Sequence, residues 1–200
     1  NLECPLTERE RFPKVFSFAG NPAYVGVLKR AGFSIVSLAN NHTLDCGKAG
    51  LLETMEILRR AGIAFCGAAG TAAAARSPTI LVRRGLRIGF LAYSDFPPEG
   101  VVLLPDRPAI AVLDDETVAA EIRAARQQVD LLVVSFHWGW EYQPQANARQ
   151  RRLAAEAGEA GADIVVGHHP HVLQPVEVVS RRGRRCLVVY SLGNFIFDSG

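Results

Sequence analysis

Apolar residues in this chain follow two rhythms. Three runs, Ser34–Ala39, Asp130–Phe136 and Asp163–Gly167, are almost continuously apolar and short. Runs of this length between turn signals predict strands buried on both faces. Elsewhere the apolar residues recur every three or four positions, the period of a helix resting on a core. Leu51, Leu52, Met55, Leu58 and Ala61 predict an amphipathic helix over 48–61, stopped by Gly62. Asn21-Pro22 supplies an N-cap and a first-turn proline for a shorter helix. That helix carries Tyr24, Val27, Leu28 and Ala31 on one face and ends at Gly32. Two more helices are predicted, one capped by Asp114 or Asp115 and running to about Gln128, the other over 147–160.

Shorter patterns fill the gaps. Ile63–Cys66 reads as a strand and Thr71–Ala75 as one helical turn. Thr79–Val82 and Arg87–Tyr93 flank Arg83-Arg84-Gly85, the mark of a β-hairpin; Leu173–Val179 and Leu187–Ser191 flank Arg181–Arg185 in the same way. The Pro- and Gly-rich stretch 95–108 is a long loop, a class that is often functional. The order helix, strand, loop therefore occurs three times with hairpins inserted, which predicts an α/β fold with a mixed sheet flanked by helices.

Composition narrows the class. At 200 residues, 48% hydrophobic and 21% charged, the chain suits one ordinary globular domain with a sizeable core. A net charge of +2 gives no case for nucleic acid. The arginines at 149–152 and 181–185 read as a solvated helix face and a hairpin tip. No run reaches the roughly 18 apolar residues of a membrane span, and no signal peptide is visible. The four cysteines lack CxxC spacing and read as reduced, partly buried thiols.

Chemistry enters with the histidines. All five, His42, His137, His168, His169 and His171, follow one of the three apolar runs. In open α/β sheets the site lies outside the carboxyl ends of the parallel strands, so this clustering has a geometric cause. Pro170 stiffens the His169-Pro170-His171 turn and is expected to hold His169 in extended backbone. Asn41, His42, His137, His169, His171 and Glu3 are the polar groups at the strand ends, and their oxygen and nitrogen atoms, without thiolate, suit zinc, manganese or iron(II) in an open, catalytic site. Two such ions roughly 3.5–4 Å apart clamp the attacking and leaving oxygens of a phosphoryl displacement. His42 is then free to protonate the leaving group, with Asp45 orienting its ring. Trp138 and Trp140 are either core or a substrate wall.

Five motifs carry a resemblance: Asn1-Leu2-Glu3, Asn40–Asp45, His137–Tyr142, His169-Pro170-His171 and Tyr190–Phe195. Together, and in this order over the whole chain, they resemble the CapA family of capsule and poly-γ-glutamate synthesis proteins, whose fold is similar to that of calcineurin-like metallophosphatases. The resemblance implies a metallophosphatase-like mixed β-sheet sandwich flanked by α-helices, in a single domain over 1–200. It implies two divalent metal ions (Mn, Fe or Zn) held by Glu3, Asn41, His137, His169 and His171, with His42 as general acid. It gives His168 no ligand role, and Glu141 and Glu177 match family positions without a role that chemistry assigns. The family pattern begins with an earlier strand ending in a ligand Asp, and continues past residue 200. Both pieces are expected to lie outside this sequence.

Three functions follow from the resemblance. The first is a metal-dependent hydrolase of a phosphoester. The second is hydrolysis or transfer at a γ-glutamyl amide, where a polyanionic substrate calls for basic residues such as Arg107 and Arg149. The third is a non-enzymatic assembly or export subunit of a capsule-synthesis membrane complex, which calls for an exposed apolar patch. A cell-envelope location is implied by the family role alone.

Overall fold

The structure is a computed structural model that describes residues 1–181 and 183–197. Arg182, in the tip of the second predicted hairpin, lies outside the described residues. The chain forms two compact units: residues 1–79 with 92–112, and residues 80–91 with 113 onwards.

In the first unit a 3₁₀ turn, Pro22–Tyr24, leads into α1 (Val25–Arg30), and Asn21 caps it by accepting from the Ala23 N–H. Strand β1 (Ile35–Ser37) runs parallel to β2 (Ala64–Cys66) across the intervening α2 (Gly47–Ala61). Strand β3 (Ala68–Ala69) pairs antiparallel with β6 (Ala109–Ile110), and α3 (Ala72–Ala75) is the single turn, capped by Thr71. Leu51, Met55 and Leu58 of α2 are buried against Leu6, Val36, Leu38 and Ile110. Gly62 ends the helix at φ +73°, a left-handed conformation that glycine adopts without steric cost. Leu52, counted on the same stripe, is 47% exposed, so the buried stripe is narrower than the sequence suggests. In α1 the expected buried face is corrected too. Tyr24, Val27 and Ala31 are exposed, and Val25 and Leu28 make the contact with the core. The first turn being 3₁₀ rotates the helix relative to a pure 3.6-residue count.

The second unit is built on a six-stranded sheet in the order β4-β5-β7-β8-β10-β9. Here β4 is Thr79–Arg83, β5 Leu86–Ser94, β7 Leu131–His137, β8 Ile164–His168, β9 Val176–Arg181 and β10 Arg184–Val189. The first hairpin turns at Arg84 and Gly85, both at positive φ (51° and 80°), as a two-residue turn requires. Strands β7, β8 and β10 run parallel and β9 returns antiparallel. Helices α4 (Val118–Arg126) and α5 (Ala148–Ala160) belong to this unit, and α5 packs on β8, β9, β10 and α4. A capping box opens α5: Asn147 accepts from the Gln150 N–H, and the Gln150 side chain accepts from the Asn147 N–H.

Two expectations fail here. Helix α4 starts at Val118 behind Thr117, so neither Asp114 nor Asp115 is its N-cap. Strand β8 is half-buried at Ile164, Val166 and His168 and buried only at Val165 and Gly167, so it is not buried on both faces. Arg149 makes two 2.9 Å bonds to Asp115 and keeps its side chain 40% exposed.

Asp115 also accepts from Arg152 at 2.7 Å, and these two arginines pull its carboxyl from an ordinary 3.8 down to about 2. A carboxyl depressed on folding stabilises the fold above its ordinary value and loses that contribution as pH falls through the folded one. Asp115→Asn is therefore expected to flatten the acid limb of stability between about pH 4 and 2, by on the order of 0.2–1 kcal/mol for a surface cluster. Urea midpoints measured across that window check it.

One glycine is set by close approach. A Cβ on Gly167 would collide with the carbonyl oxygen of Tyr190 and with Trp138 Nε1. Neither is the free end of a flexible chain, since the indole N–H donates to that same carbonyl at 2.9 Å. Gly167→Ala is expected to cost about 3 kcal/mol or more, the top of the overpacking range, read as a lowered urea midpoint.

Candidate functional site

The first unit holds the predicted acid–base pair. After β1 the chain runs through Leu38 and Ala39 into a tight turn governed by Asn40, which is fully buried. The Asn40 oxygen accepts from the His42 N–H at 3.0 Å, and its amide donates to the Leu2 carbonyl at 2.9 Å and to Asn1 Oδ1 at 3.1 Å. Asn1 in turn donates to Glu3 Oε2 at 2.9 Å. One buried amide thus ties the segment carrying Glu3 to the loop carrying Asn41 and His42. This is why short polar side chains stand where the strand ends.

His42 is buried, with Nδ1 2.9 Å from Asp45 Oδ2. Asp45 is gripped through Oδ2, which also accepts from the Phe18 N–H at 2.7 Å, while Oδ1 lies 2.7 Å from the Lys14 ammonium as an ion pair. A carboxylate at Nδ1 fixes the proton there and leaves Nε2 to exchange a proton with a bound molecule. The Phe18 ring covers the imidazole at 4.5 Å between centroids.

The second unit holds the histidine-bearing loops. The register pairs His137 with His168 across adjacent parallel strands, so the chains leave the sheet side by side. The Trp138 backbone N–H donates to the His168 carbonyl at 3.1 Å, and that of Tyr142 to the Pro170 carbonyl at 2.8 Å, lacing the two loops together. The His137 and His169 rings lie 4.9 Å apart, those of His169 and His171 6.2 Å. Burial pushes the His168 imidazole well below its ordinary value, with His137 adding to the effect.

Backbone strain concentrates here. His169, His171 and Tyr142 sit at φ +95°, +58° and +58°, the left-handed region, at about 1–3 kcal/mol each. The expected extended backbone at His169 is thereby corrected: the tight lacing of the two loops overrides the preference imposed by Pro170. The two tryptophans divide. Trp138 is fully buried, stacked on Phe136 at 4.7 Å, while Trp140 is 66% exposed.

Ligand atoms of Glu141, His169 and His171 all lie within 4.8 Å of one another. One carboxylate oxygen and two imidazole nitrogens fit a divalent cation of the zinc, manganese or iron type. His171 is oriented for this, because its Nδ1 lies 2.8 Å from Asn194 Oδ1, which leaves Nε2 with the lone pair. Sequence reasoning gave Glu141 no role. The signal was its place, four residues beyond His137 in the loop that Tyr142 laces to Pro170.

Comparison with solved structures defines the class. The fold matches a 5'-nucleotidase precursor from Thermus thermophilus with a TM-score of 0.57 at 19% identity, over 86% of this chain and 35% of that one. It matches the Haemophilus influenzae NAD nucleotidase NadN with a TM-score of 0.55 at 15% identity, over 84% and 32%. The protein therefore has the mixed α/β fold of metallophosphatase-type nucleotidases. The chain belongs to the family described as bacterial capsule synthesis protein PGA_cap, which matches residues 1–199. The PGA biosynthesis protein CapA of Bacillus subtilis is 35% identical over 204 residues, taking in 100% of this chain and 53% of its own. The capsule biosynthesis protein CapA of Bacillus anthracis is 34% identical over 209 residues, taking in 100% and 50%. The chain thus spans about half the length of these relatives. Among the described residues no helix is long and apolar enough to cross a membrane.

Proposed function

We propose that this protein is a metal-dependent hydrolase, acting on a phosphoester in the service of poly-γ-glutamate capsule synthesis. The observation that carries the reading is the approach of Glu141, His169 and His171 ligand atoms within 4.8 Å. His169 and His171 would hold a divalent ion with Glu141, and the resemblance adds His137, Glu3 and Asn41 for a centre of two ions (Mn, Fe or Zn). Bound there, the metal would supply Lewis-acid polarisation of a substrate oxygen and acidify water at neutral pH. His42 then protonates the leaving oxygen from Nε2 while Asp45 holds the ring and steadies its charged form. Phe18 lies tilted against that ring, with 4.5 Å between centroids.

Family membership favours a second reading, hydrolysis or transfer at a γ-glutamyl amide, since two relatives are named for PGA or capsule biosynthesis. A third, an assembly subunit, is favoured by Leu173, Val176, Val178 and Leu187, which are 74%, 62%, 48% and 40% exposed. A screen with alkyl phosphates, γ-linked oligoglutamates and added Mn²⁺, Fe²⁺ or Zn²⁺ separates them. Phosphate release supports the first and new amine the second. Absence of both from metal-loaded protein leaves the third.

A further inference from the structure

Residues 11–17 of the first unit wrap an open cavity of about 340 Å³ walled by Arg11, Phe12, Pro13, Lys14, Val15 and Ser17. The loop is closed on itself by Arg11 Nη1, which donates to the Ser17 carbonyl at 3.0 Å. It is fastened by the Phe12 N–H, which donates to the Asp45 carbonyl at 2.7 Å. Two of the six wall residues are cations and none is an acid. Lys14 Nζ lies 2.7 Å from Asp45 Oδ1 as an ion pair, and its ammonium carries three donors. Ser17 Oγ is buried beside the cavity and has no hydrogen-bond partner among the described residues. Two acids oppose this charge: Asp45, 2.7 Å from Lys14, and Glu99, 3.9 Å from Lys14 and 72% exposed.

The cavity adjoins the acid–base pair. Lys14 is on Asp45, and Phe18, the residue after Ser17, is on both Asp45 and His42. We infer that the 11–17 cavity is an anion subsite that seats a carboxylate or phosphate of the substrate's leaving group beside His42. The inference rests on the hydrolase reading for the role of His42, and it adds a substrate class: a leaving group that carries its own negative charge. Arg11 supplies the charge-assisted hydrogen bonds, Lys14 its ammonium donors and Ser17 a hydroxyl.

The test is binding, read without turnover. Calorimetric titrations use inorganic phosphate and γ-linked diglutamate, at low salt, against the full chain. Arg11→Gln, an exposed residue whose loss leaves the fold intact by circular dichroism, is expected to raise Kd about 10-fold, the loss of a charged hydrogen bond. Glu99→Gln is expected to lower Kd about 2-fold by removing an opposing charge. Both effects persist in a His169→Ala background, which removes any anion affinity of the metal itself. A response to phosphate alone assigns the leaving-group anion to a phosphate, and a response to diglutamate alone assigns it to a carboxylate. Dissociation constants that neither substitution moves, for either probe, overturn the subsite. The same responses in an otherwise wild-type protein that takes up no metal sink the hydrolase reading and leave the subsite standing.

Discussion

His42→Ala is expected to lower kcat by about 10²–10⁴-fold while the protein keeps its full complement of metal. His42 Nδ1 is committed to Asp45, so the residue has one free nitrogen, suited to giving a proton away. The size of the effect depends on the leaving group. An alkoxide needs its proton as the bond breaks, whereas an aryl oxide leaves unaided, so the loss is larger on an alkyl phosphate than on an aryl phosphate. Asp45→Asn is expected to show a smaller loss with the same leaving-group dependence, because it loosens the ring without removing it. Steady-state rates on the two phosphates, beside metal analysis of each variant, decide the matter. A His42→Ala protein that also loses metal makes this residue a ligand and contradicts the assignment.

His169→Ala is expected to abolish turnover by removing metal, the opposite signature. His169 shares the 4.8 Å ligand group with Glu141 and His171, so its loss leaves at most two of those three donors. Asn194→Ala tests the support of the site and not the ligands. It frees His171 Nδ1 and is expected to weaken metal affinity about 10–100-fold. Metal content and affinity, measured on both variants, should fall in that order. His169→Ala protein that retains wild-type metal would place the ions elsewhere.

What the sequence made legible was local. Helix α2 could be bounded because its signal is local: Gly62 stands directly at its end. The histidines could be gathered because strand ends are a place that topology defines. The rest depends on partners far along the chain. Arg149 pairs with Asp115, 34 positions away, which no helical count reveals. Trp138 and Trp140 are equivalent as letters, and the Trp138 bond to the Tyr190 carbonyl, 52 positions away, fixes which one is core. Glu141 gains its meaning from the lacing of two loops, and Lys14 from a carboxylate beyond the next helix and strand. The exposed face of α1 follows from a 3₁₀ first turn that its apolar spacing does not encode.

Metal stoichiometry reads out the divalent metal centre proposed for the loops after β7 and β8. Purified protein would be equilibrated with Mn²⁺, Fe²⁺ or Zn²⁺, freed of excess, and its metal measured beside His169→Ala treated identically. The account predicts about two equivalents of at least one of these ions in the wild type, as a two-metal hydrolase requires, and a loss in the variant. Wild-type protein that retains none of the three contradicts it.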